Sequence, residues 1–189
     1  MTLTSRLRRT IIAGSIAAAA VALPTVALAS SAASETAART TAVHRCYQSE
    51  LHAWLGVPGS GAAGSTYYEL ELSNVSHQTC TLYGYPGVSA LTSGVQDGSA
   101  ADRGASHPKT LVYLAPGATA HVILQIADVG AYSPAACQPV TANELRVFAP
   151  GDFASLLVPF SFPACSSAGP VYLGVTTTLP GTGIPGYSS

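Results

Sequence analysis

Four cysteines, Cys46, Cys80, Cys137 and Cys165, are the side chains in this sequence whose type and spacing bear most directly on chemistry. Thiols can ligate zinc, act as nucleophiles or pair as disulfides. Zinc sites draw on closely spaced ligand pairs such as C-x-x-C, and no two cysteines here are that near one another. No metal is therefore expected. An even set of cysteines in a chain that opens on an export signal reads instead as two disulfides. Three connectivities are open. Sequential pairing, Cys46 with Cys80 and Cys137 with Cys165, closes the shortest loops and is preferred. Each such bridge stabilises by roughly 3–4 kcal/mol on the loop-entropy picture.

The other reactive types do not assemble into a centre. His44, His52, His77, His107 and His121 show no H-x-H, H-x-x-x-H or H-E-x-x-H spacing, the patterns that place two imidazoles on one metal. Around Ser89 the chain reads GVSAL, without the second glycine of a nucleophile elbow. Glu69 and Glu71 share one strand face and are expected to be solvated. No catalytic residue and no cofactor is expected, and the reading is non-enzymatic. Aromatic residues remain as candidates for binding, because tyrosine and tryptophan bury area while keeping a polar tip. Tyr67, on the same strand face as Glu69 and Glu71, and Trp54 are the candidates for such a surface, against the plainer reading that the aromatics fill and edge the sandwich core. The longest polar connection, residues 93–110, carries the alternative reading: a rigid loop inhibiting extracellular proteases.

Charge narrows the partners. Beyond Ala29 five Lys/Arg stand against nine Asp/Glu, a net charge of −4. Such a chain cannot build the basic stripe that neutralises phosphates, so nucleic acid is not an expected partner. After signal cleavage no membrane attachment is expected either, and an unknown protein or a cell-wall glycan is.

The elements that would position these residues follow from pattern. Arg6, Arg8 and Arg9, an apolar run, and Ala27-Leu28-Ala29 make residues 1–29 a secretory signal peptide. Residues 30–45 are small and polar without apolar period, a disordered leader. From Cys46 onward, short runs rich in Tyr, Val, Leu and Thr alternate with Gly, Pro, Asn and Asp, the mark of strands. Strands are expected near 46–55, 66–74, 79–84, 87–92, 110–114, 119–128, 143–149, 154–159 and 171–178. In TYYELELSN, Tyr68, Leu70 and Leu72 fall on one face, as a half-buried antiparallel strand requires. SPAACQPVTANEL, broken by Pro134 and Pro139, allows a turn or two of helix at most. The fold class is all-β: an antiparallel β-sandwich, immunoglobulin-like in topology. The Gly/Pro-rich segment 179–189 reads as a flexible tail. Its Leu179-Pro180-Gly181-Thr182-Gly183 fits the L-P-x-T-G transpeptidase signal in letters only, since IPGYSS follows where an apolar segment and a basic tail would be needed.

One stretch identifies a family. Asn74, Ser76, Cys80, Leu82, Gly84, Tyr85 and Pro86 fit N-x-(G/S)-x-x-x-C-x-L-x-G-(Y/F)-P, and Leu114, Pro116, Gly117 and Ala120 fit L-x-P-G-x-x-A. Together with Cys46, Cys137 and Cys165, residues 46–178 resemble the secreted actinobacterial domain of unknown function DUF4232. The resemblance implies a secreted or envelope-associated β-sandwich and brings no catalytic residues.

Overall fold

The computed structural model describes residues 42–58, 61, 63–104 and 108–184. The expected signal peptide and most of the leader lie outside them, as does the end of the tail. Among the described residues the regular structure is almost entirely strand: β1 (Leu51–Pro58), β2 (Ser65–Asn74), β3 (Cys80–Tyr83), β4 (Gly87–Thr92), β5 (Val95–Asp97), β6 (Asp102–Arg103), β7 (Leu111–Leu114), β8 (Thr119–Ala127), β9 (Pro139–Phe148), β10 (Ser155–Cys165), β11 (Leu173–Val175) and β12 (Leu179–Pro180). The segment broken by prolines yields a single helical turn, Pro134–Cys137, capped by the Ser133 hydroxyl.

Alternation explains the layers. The first sheet runs β1-β2-β8-β11-β6, with β12 also on β8; the second runs β10-β9-β4-β5; β3 and β7 form a separate pair. Pairing is antiparallel except for the short β11–β6 contact. Leu70 and Leu72 of β2, Val122 and Leu124 of β8, and Leu173 and Val175 of β11 turn inward from the first sheet. They meet Val88, Leu145, Val147, Val158 and Phe162 of the second, and Leu82, Val112 and Leu114 of the β3–β7 pair, in one core cluster. This is an antiparallel β-sandwich: each strand offers one apolar row, and only stacked sheets hide such rows from water.

Two buried disulfides, Cys46–Cys80 and Cys137–Cys165, close the structure, with Cα separations of 4.8 and 4.6 Å. Cys46 does not lie on a strand running from 46 to 55, as the pattern suggested. β1 begins only at Leu51, after a 3-10 turn at Gln48–Glu50. Residues 44–46 instead run parallel to β3, with the Cys46 N–H on the Thr81 carbonyl (2.9 Å) and the Thr81 N–H on that of His44 (2.8 Å). The first disulfide thus fastens the entry of the domain to β3. The second ties the helical turn to the end of β10, beside the Cys165–Pro139 pair at the open end of the β9–β10 hairpin.

Asn74 organises the joint between β2 and β3. Its amide donates to the carbonyls of Gln78 and Leu114, and its Oδ1 accepts from the N–H and hydroxyl of Ser76, all within 2.8–2.9 Å. An asparagine supplies two donors and an acceptor with two lone pairs, so every polar valence of this buried side chain is used. The register that follows turns Cys80 and Leu82 inward, fully buried. Gly84, at φ +96°, then bends the chain toward β4 in the left-handed region open to glycine.

Two expectations fail on the outer face of the first sheet. Residues 179–184 do not fray: Leu179 and Pro180 pair with His121 and Ala120, the Gly181 carbonyl lies 2.8 Å from His121 Nδ1, and Ile184 packs over Gly56. This strap covers Glu71, which is 0% exposed rather than solvated. The reason is local shape. Gly183 crosses so close to Glu69 that a Cβ there would collide with its Cγ, and only glycine admits that approach.

Candidate functional site

Trp54 and Tyr67 both lie on the outer face of the first sheet, half-buried. Trp54, opposite Glu71 in the β1–β2 register, donates its indole N–H to Ser73 Oγ at 3.0 Å, and that hydroxyl is 2.8 Å from Thr119 Oγ1. Tyr67, opposite Gln125, forms one wall of a shallow cleft of about 340 Å³ with Asp102, Ile123, Gln125 and Tyr172. The strap lies across the Glu69 and Glu71 rows, so the two rings do not join into one patch.

Among the described residues, 93–104 and 108–110 do not form one protruding loop. Ser93 and Gly94, both at positive φ, make a two-residue turn between Thr92 and Val95, the geometry of a tight hairpin. Beyond β5 the backbone is stitched to the body: Gly98 N–H to the Ser166 carbonyl, Ala101 N–H to Val88, and Gly104 N–H to Val175, at 2.8–3.1 Å. Residues 105–107, His107 among them, lie outside the described residues.

The strongest concentration of exposed binding groups lies at the β3–β7 pair, which pattern did not single out. Directly opposed residues share a face, and Tyr83 opposes Leu111 while Thr81 opposes Tyr113. Tyr83, Leu111 and Tyr113 are 58%, 51% and 62% exposed, and Phe153, on the turn after β9, is 90% exposed. Tyr83 also opens onto a cleft of about 500 Å³ lined by Tyr85, Arg103, Lys109, Phe148, Asp152 and Phe153, with Gly84, Gly87 and Gly151 in its walls. The Lys109 ammonium sits 5.5 Å from the centre of the Tyr85 ring, within cation–π range. Gly87 packs against the ring of Phe148.

Asp152 shapes the rim. Its carboxylate accepts from the N–H groups of Gln48, Phe153 and Ala154. Partial burial works against its charge, but those donors and nearby Arg45 outweigh it and hold the acid below the usual carboxylate range. The turn that presents Phe153 is thereby pinned. His44 is engaged on Glu50 at 2.9 Å. Among the described residues no three His, Cys, Asp or Glu side chains converge as metal ligands.

Tyr83 was legible as exposed, because the inward parity of Cys80 and Leu82 forces it outward. Phe153 had no periodic signal, since it lies in a turn.

A family model described as domain of unknown function (DUF4232) matches residues 46–178. No curated protein and no solved structure matches the chain, so the immunoglobulin-like label rests on the sequence pattern alone.

Proposed function

The chain belongs to the DUF4232 family, and we propose that this member is an exported, non-enzymatic binding module that recognises an extracellular protein or a cell-wall glycan. The observation that carries the reading is the cluster of exposed rings and aliphatic groups on the β3–β7 pair and the adjoining turn: Tyr83, Leu111, Tyr113 and Phe153. Leaving large apolar side chains together in water sacrifices burial free energy of about 25 cal/mol per Å², and contiguous exposed patches mark interaction surfaces. Export is supported by the two intact disulfides, which persist in oxidising compartments, and by the secretory pattern of residues 1–29. Among the described residues no helix is long and apolar enough to cross a membrane.

The test is retention of the purified protein on cell walls and culture components of its source. Tyr83→Ser with Tyr113→Ser, or Phe153→Ser alone, should lower retention with unchanged thermal stability. Trp54→Phe with Tyr67→Ser should not. Undiminished retention of the Tyr83/Tyr113 and Phe153 variants would refute the proposed surface.

A further inference from the structure

The chain carries net negative charge, yet its cations gather in one place. Among the described residues the basic side chains are Arg45, Arg103, Lys109 and Arg146. Arg103 and Lys109 line the cleft beside Tyr83 and Phe153. Arg45 extends a guanidinium nitrogen to Gly151 in the cleft wall and lies 5.4 Å from the ring of Tyr47. Arg146 stacks 5.6 Å from the ring of Phe148, another wall residue.

The lining contains one carboxylate, Asp152, and it is already engaged by three backbone N–H groups and by Arg45. Asp102, next to Arg103 in sequence, lines the Tyr67 cleft instead, because successive strand residues point to opposite faces. The cleft therefore keeps an excess of positive charge on an otherwise acidic molecule. Charge placed this way steers and selects a ligand of opposite sign.

We infer that the cleft takes an anionic glycan, a chain of sugar rings bearing carboxylate or phosphate groups; this rests on the binding-module reading above and names its ligand. The exposed faces of Tyr83 and Phe153 suit the C–H faces of sugar rings, while Arg103 and Lys109 stand where pendant anions would be paired. Arginine and lysine serve both anion types, Arg as a planar fork and Lys as a point charge. An acidic peptide fits less well. Extended peptides are held by main-chain hydrogen bonds along a sheet edge, whereas these walls come from strand ends and turns at 83–87, 103, 109 and 148–153.

Titration of the exported protein with polygalacturonate, phosphomannan, neutral dextran and poly-L-glutamate tests the inference. At least one acidic glycan should bind, weaken with added salt, and exceed both dextran and poly-L-glutamate; which one binds identifies the anion. Arg103→Gln with Lys109→Gln should weaken binding about tenfold, the worth of two exposed ion pairs. Phe153→Ala should weaken it as well, and Trp54→Phe should leave it unchanged. All are exposed or half-exposed positions, and matching melting curves verify folding. Three results would overturn the inference: no binding of either acidic glycan, binding indifferent to the Arg103/Lys109 change, or equal poly-L-glutamate binding indifferent to Phe153→Ala. If cell-wall retention still depends on Tyr83 and Phe153 after any of these, the binding-module reading stands without an anionic glycan; if it does not, both fall.

Discussion

At the residue scale the most consequential side chains are two buried polar ones, Asn74 at the β2–β3 joint and Glu71 beneath the strap. Asn74 satisfies the carbonyls of Gln78 and Leu114 with its two amide donors. Asn74→Ala leaves the Leu114 carbonyl short in a buried site, where an unmade bond costs about 1–3 kcal/mol, while the exposed Gln78 carbonyl keeps the Ser76 hydroxyl. Urea unfolding should show a loss of about 1–3 kcal/mol, with the slope unchanged. Glu71 bears on pH. Burial, the largest influence, favours its neutral form; the Gly183 N–H and His121 act against that without cancelling it, and Glu69 reinforces it, so the pKa stands above the ordinary 4.5. A folded pKa above the unfolded one means that the native state holds the proton more tightly. The associated stability is complete below pH 4.5 and is lost as pH rises through the folded pKa. Melting temperatures of wild type and Glu71→Gln should therefore diverge with rising pH, the variant gaining; parallel curves would contradict this assignment.

At the element scale, alternation marks some strands and leaves others without a signal. Period-two alternation located β2 and β8 and their inward rows, because burial on one face is what enforces alternation. It set Cys46 on a strand that starts later, since a short segment paired only to β3 has no alternation of its own. It also misjudged residues 179–184. Glycine and proline mark breaks in regular structure, but they equally suit a strap that must pass close over a sheet, as Gly183 does over Glu69. Gly183→Val should dislodge the strap: amide exchange at 179–184 should accelerate while β2 and β8 stay protected, and emission of the lone Trp54 should shift. Loss of protection throughout β2 and β8 would mean the strap is integral to the sheet instead. The Cys46–Cys80 disulfide encloses 34 residues of separation, and replacing both cysteines by serine should lower stability by about 3–4 kcal/mol.

At the scale of the whole molecule, the sandwich, its disulfides and its family were legible, because each follows from local pattern or from residues close in sequence. The candidate site was not. Tyr83, Arg103, Lys109 and Phe153 are spread over seventy residues of sequence and meet only because β3, β6, β7 and the turn after β9 end at one cleft. Tyr67 and Trp54 were legible as outward-facing, yet nothing local revealed the strap that parts them. Binding is proposed at the cleft end of the molecule, beside Tyr83 and Phe153. The most direct measurement is a hydrogen-exchange footprint of the protein with and without its source's cell-wall fraction. Protection is predicted at residues 83–87, 109–113 and 148–153, with β1 and the amino-terminal half of β2 unaffected. Protection confined to Trp54 and Tyr67 and their neighbours, with the cleft exchanging freely, would contradict it.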